Sequence, residues 1–137
     1  MKECNVPKTV LIVEDEIFVA MDIQRILIDA GYTVMAIAAD RHTALDGTDH
    51  PDLAFVDVNL RDGKTGPSIA CDLARRGTKV VYVTANPAQI DPVAATAIGY
   101  IRKPFSEGAI RAAAEIAVTS DEPTVPGHSE ITLFGTA

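Results

Sequence analysis

The chain has 137 residues, 47% of them apolar, and its 19 acidic and 12 basic side chains leave a formal charge of −7. That is one domain, large enough to bury a core without a disulfide framework; with no stretch of four or more Lys/Arg with interleaved aromatics, the negative balance argues against direct nucleic-acid binding. The longest wholly apolar run, Val34 to Ala39, is far short of the ~20 residues of a membrane span, and Met1 to Thr9 lacks a secretory signal's apolar stretch, so no membrane association and a cytoplasmic location are expected.

Thr9 to Val13 (TVLIV) is a short, continuous, β-branched run, as a strand buried on both faces of a parallel sheet requires. Glu16 to Ala30 reads as a helix with Ile17, Ala20, Met21, Gln24, Leu27 and Ile28 on its inner side and Gly31 as its stop. Thr33 to Ala38 is the second strand, Arg41 to Gly47 a short helix, and Leu53 to Val56 the third strand, ending at Asp57. The pairs Asp62-Gly63 and Gly66-Pro67 mark a loop before a helix from Ser68 to Arg76. Lys79 to Thr84 is the fourth strand, Tyr100 to Arg102 a brief fifth, and Ser106 caps an Ala-rich helix reaching Val118. Between Asn86 and Ile98, Pro87 and Pro92 interrupt any helix, so a short or irregular one is expected there. Cys4 and Cys71 lack metal-ligand spacing and are expected to be reduced thiols. The domain is expected over residues 9–118, with an extension at 1–8 and a flexible tail at 119–137 whose composition is rich in chain breakers.

Strand alternating with helix predicts an α/β fold, and such sheets carry their sites at the carboxyl ends of the strands. The residues standing there are Glu14, Asp15, Asp57, Thr84 and Lys103. Carboxylates gathered at one edge repel one another and suit a hard divalent cation such as Mg2+, and a lysine opposite them would neutralise incoming phosphoryl oxygens. Taken singly, each residue has a plainer reading: Asp15 as a helix cap, Asp57 as a turn residue, Thr84 as an ordinary strand residue and Lys103-Pro104 as a solvated turn. What those readings leave unexplained is the joint placement.

Leu11-Ile-Val-Glu-Asp-Glu16, Phe55-Val-Asp-Val-Asn-Leu60 with Asp62-Gly63, Val83-Thr-Ala85 and Gly99-Tyr-Ile-Arg-Lys-Pro-Phe105 together resemble the receiver domain of two-component response regulators. The resemblance implies a flavodoxin-like, doubly wound (βα)5 fold with a five-stranded parallel sheet in the order 2-1-3-4-5. It implies that Asp57 is the phosphoacceptor, that Asp15, Asp57 and the Asn59 backbone carbonyl hold Mg2+ with Glu14 acting through a water, and that Thr84 and Lys103 contact the phosphoryl group. Thr84 and Tyr100 would form the switch. Tyr100 has a plainer reading too, as a half-buried aromatic on an edge strand. The function implied is a stand-alone phosphoacceptor of a phosphorelay, not a turnover enzyme, which takes its phosphate from a sensor histidine kinase and passes on a signal to an unidentified downstream protein or drains phosphate. The short segment between Thr84 and Lys103 is similar to that of receivers paired with HWE-type kinases. Glu14 replaces the commoner Asp, and Arg61 stands where Pro is frequent, so a mobile loop carrying a charge is expected beside the site. The competing reading is a magnesium-dependent phosphatase of the haloacid dehalogenase type. Such an enzyme wants a second Asp two residues after its nucleophile, where this chain has Asn59.

Overall fold

A computed structural model describes residues 8–47, 50–119 and 129–134; the expected extension apart from Lys8, with Cys4 in it, and most of the expected tail lie outside the described residues. In chain order the elements are β1 (Thr9–Val13), α1 (Ile17–Asp29), β2 (Thr33–Ala38), α2 (Arg41–Leu45), β3 (Leu53–Val56), α3 (Gly66–Arg75), β4 (Lys79–Thr84), a 3-10 turn (Pro87–Gln89), β5 (Ala97–Arg102), α4 (Glu107–Val118) and β6 (Ile131–Leu133). The sheet runs β2-β1-β3-β4-β5-β6, with the first five strands parallel and β6 antiparallel to β5. The 2-1-3-4-5 order is as expected, and the sixth strand is an addition to it.

β1, β3 and β4 are inner strands buried on both faces, which is why their sequences are apolar without alternation. One face packs Val10, Ile12, Phe55 and Val81 under α1 and α4 through Ile23, Leu27 and Ile110. The other packs Leu11, Val13, Val56 and Tyr82 under α2 and α3 through Ala44, Ile69 and Leu73. Register levels the carboxyl ends: Val13 stands beside Val56, and Thr84 beside Arg102. One residue further on, the ladder closes with Glu14 N–H donating to Ala38 O (2.8 Å), Asp57 N–H to Val13 O (2.9 Å) and Lys103 N–H to Thr84 O (3.0 Å).

Three expectations are corrected. α1 buries Ala20, Ile23, Ile26 and Leu27 and leaves Ile17, Met21 and Ile28 exposed, so the helix is turned by roughly a quarter of its circumference from the face read off the sequence. The helix carries more apolar residues than one stripe can bury, and the stripe facing both the sheet and α4 wins. β5 begins at Ala97 rather than Tyr100, because pairing with β4 extends it through Ala97, Ile98 and Gly99, where a lone Ile between two small residues gives little strand signal. Among the described residues the sheet has six strands: Ile131–Leu133, within the stretch expected to be a flexible tail, pairs with β5, and Ile131 joins the core. The crossover from β4 to β5 contains no α-helix and only the 3-10 turn, as its two prolines predict. The peptides Asp91–Pro92 and Lys103–Pro104 are cis. No described helix is long and apolar enough to cross a membrane.

Candidate functional site

Lys103 brings the strand ends together. Its Nζ lies 2.9 Å from Asp57 Oδ2, to which it donates a hydrogen bond, and 2.8 Å from Glu14 Oε1. The second contact is an ion pair: Glu14 Oε1 receives no hydrogen at a hydrogen-bonding angle, although it is buried. Glu14 Oε2 accepts from the Glu16 amide (3.2 Å), and Asp57 Oδ1 from the Val58 amide (2.7 Å). Glu14 and Asp57 are buried at 3% and 7% exposure, so one ammonium compensates two carboxylates in a poorly solvated place.

That imbalance shows in the titration of the groups. Burial, the largest cause, and the neighbouring Asp57 push Glu14 up from 4.5 to about 7, against the opposing pull of Lys103. Burial pulls the Lys103 ammonium down, but Glu14 and Asp57 outweigh it and hold Lys103 above its ordinary value. Asp15 is exposed and contributes the third carboxylate: ligand oxygens of Glu14, Asp15 and Asp57 all come within 4.8 Å of one another. An oxygen-only donor set, an excess of negative charge and a buried carboxylate oxygen without a donated hydrogen together fit a hard divalent cation. Asp15 does not cap α1: the N-cap is Glu16, and no side chain caps the helix there.

The cleft over these groups is lined by Asp15, Asp57, Asn59, Ala85, Asn86 and Lys103, among others. Asn59 is exposed, and its side-chain amide donates to Gln89 Oε1 (3.1 Å), tying the β3 loop to the 3-10 turn. Thr84 is fully buried and its hydroxyl accepts from the Asn86 amide (3.0 Å). Tyr100 lies half-buried on β5, away from the cleft lining, with its ring centroid 6.1 Å from that of Phe134. Arg61 turns away: its guanidinium stands 3.9 Å from Asp40, and its amide bonds Ala39 O. The expected charge beside the phosphoacceptor is thus drawn off to β2's end.

Two residues escaped the sequence reading. Gly66 packs so closely on the β3 end that a Cβ there would lie 1.9 Å from Asp57 O, while its own amide donates to Val58 O (3.0 Å). The signal was present in Gly66-Pro67 at a helix start, where a glycine is not otherwise needed. Gln89 left no signal, since its partner is thirty residues away in sequence.

A family model described as the response regulator receiver domain matches residues 10–115. The transcriptional regulatory protein PdtaR of Mycobacterium tuberculosis is 32% identical over 123 residues, covering 85% of this chain and 60% of that protein. The phyllosphere-induced regulator PhyR of Methylorubrum extorquens is 32% identical over 82 residues, 57% of this chain and 31% of that protein. The chain therefore spans less than two thirds of the length of each of these curated relatives. Among solved structures, the receiver domain of PhyR from Erythrobacter litoralis superimposes with a TM-score of 0.75 at 26% identity, covering 88% of this chain and 97% of that one.

Proposed function

Since this chain belongs to the response regulator receiver domain family, we propose that it accepts a phosphoryl group on Asp57 in two-component signalling. The observation that carries the reading is Lys103 Nζ held between Glu14 and Asp57 at the carboxyl edge of the sheet. In the transfer, a carboxylate oxygen of Asp57 forms a bond to phosphorus while the bond from phosphorus to the donor nitrogen breaks, and the released imidazole takes up a proton. Burial keeps bulk water from competing for Asp57, and Lys103, which now neutralises two carboxylates, offers its charge to the transferred oxygens. Asp15, Asp57 and the Asn59 carbonyl, with Glu14 through a water, would hold Mg2+, which supplies neutralisation of the phosphoryl charge when bound. Thr84, whose hydroxyl accepts from the Asn86 amide, would exchange that bond for one to the phosphoryl group.

The donor is a sensor histidine kinase, of the HWE type by the similarity of the shortened segment after β4, and the output passes to a downstream protein within the cell. The phosphatase reading has no support of its own. Its second acid is Asn59, which cannot protonate a leaving group and is committed to Gln89. Incubation with a small phosphoryl donor and Mg2+ should raise the mass of the protein by one phosphate. A loss of that gain in Asp57→Asn supports the reading, and equal gain in the variant overturns it.

A further inference from the structure

The β4 and β5 side of the sheet is covered in an unusual way. Tyr82 and Tyr100 are register partners on adjacent strands, and the crossover that joins those strands supplies no α-helix to cover them. Phe134 takes part of that place: its ring centroid lies 6.1 Å from that of Tyr82, edge-on, and 6.1 Å from that of Tyr100. The strand that delivers it is short. Ile131, Thr132 and Leu133 pair with Ile101, Tyr100 and Gly99, the Phe134 amide donates to Ile98 O (3.0 Å), and Glu130 accepts from the Ser106 amide (3.0 Å). β5 is cut to receive it: a Cβ at residue 99 would lie 2.3 Å from Thr132 O, so only glycine admits the strand at this distance.

A contiguous set of contacts joins this seat to the phosphoacceptor edge. The Thr84 hydroxyl holds the Asn86 amide at one end of the β4–β5 crossover, and the Tyr82 hydroxyl holds the Ala94 amide (3.0 Å) near the other. When Thr84 turns toward a phosphoryl group it releases Asn86, the crossover loses an anchor, and Tyr82, whose ring is one wall of the Phe134 seat, loses the packing that steadies it. We infer that residues 130–134 are a cis-acting cover on the β5 edge, which phosphorylation at Asp57 releases. The coupling rests on the reading of Asp57 given above.

The test is residue-level amide exchange on the whole chain, alone and with beryllofluoride plus Mg2+ as the phosphoryl mimic. The Phe134 amide and the outward amides of β5 should be protected in the unmodified protein and exchange at least tenfold faster with the mimic, while β1 and β3 keep their rates. Gly99→Val should lose the same protection without the mimic. Phe134→Ala, which touches only the seat, serves the same end if the valine variant does not fold. No protection at Phe134 in the unmodified protein, or unchanged protection while the Asp57 and Val58 amides report a bound mimic, overturns the inference alone. No response to the mimic at Asp57 and Val58 overturns the reading of the site, and the coupling with it.

Discussion

The crossovers from β3 to β4 and from β4 to β5 join parallel strands of one sheet, and they solve the covering problem differently. The first lays down α3, whose Ile69, Ala70 and Leu73 are fully buried against the sheet. The second has only the turn Pro87–Gln89, buries Ile90 and Ala94, and leaves part of the cover over Tyr82 and Tyr100 to Phe134 from far along the chain. The Asp57 end is therefore held by ladder bonds and a packed helix, whereas the side next to β5 is assembled from pieces contributed by separate segments. A reaction centre needs fixed geometry, and a signalling surface needs an arrangement that can change at small cost.

The largest effect expected from breaking the rigid side is at Lys103. Lys103→Met leaves Glu14 and Asp57 buried without a cation, and chemical denaturation at pH 7 in magnesium-free buffer should show a loss of about 3 kcal/mol. Acidification to pH 5, which protonates Glu14, should return part of it, and a loss under 1 kcal/mol would mean that the cluster is better solvated than its burial indicates. Next is Gly66→Ala. Its Cβ would meet the Asp57 carbonyl, so the β3 end or α3 must move, at a cost of about 2 kcal/mol, and phosphate uptake should fall with it. Wild-type stability and uptake in that variant would show that the two backbones are free to separate.

Glu14 sharpens the comparison through pH. Its carboxyl is raised to about 7 in the folded chain against 4.5 as the ordinary value, so the folded state binds the extra proton between those two points. Stability is highest below about pH 4.5 as far as this group is concerned, and falls as pH rises to about 7, by at most about 1.4 kcal/mol per pH unit for one proton. Glu14→Gln should flatten that fall in magnesium-free buffer, which pH-dependent thermal unfolding measures; an unaltered slope would assign it to another group. The smallest effect belongs to the loose side. Tyr82→Phe removes one hydrogen bond, from the Ala94 amide, and should cost about 1 kcal/mol. Amide exchange should show the loss confined to residues 85–96 and 130–134; an equal change in β1 and β3 would make the two sides one cooperative unit.

The same contrast decides what was legible in the sequence. β1, β3 and β4 read correctly because strands buried on both faces leave uninterrupted apolar runs, and Glu14 and Asp57 stood out in the sequence because each is the residue after such a run, whereas Lys103 follows the partly exposed β5. The face of α1 did not read correctly, since Ile17, Met21 and Ile28 make as good a stripe as the one that is buried, and only contact with α4 chooses between them. β6 was hidden for a related reason. Three residues of strand propensity among chain breakers mean nothing until Gly99 offers them an edge, and that partnership spans more than thirty positions. The link from Asn59 to Gln89 is likewise a product of the fold, with no local pattern on either side.

The most direct test of the account is the chemistry of the modified residue. After incubation with a small phosphoryl donor and Mg2+, borohydride reduces an aspartyl phosphate to homoserine, which peptide mass spectrometry locates. Homoserine is expected at position 57, at no other carboxylate, and only when Mg2+ is present during phosphorylation. Homoserine at Asp15 or Glu14, or phosphate that survives borohydride on a hydroxyl side chain, would contradict it.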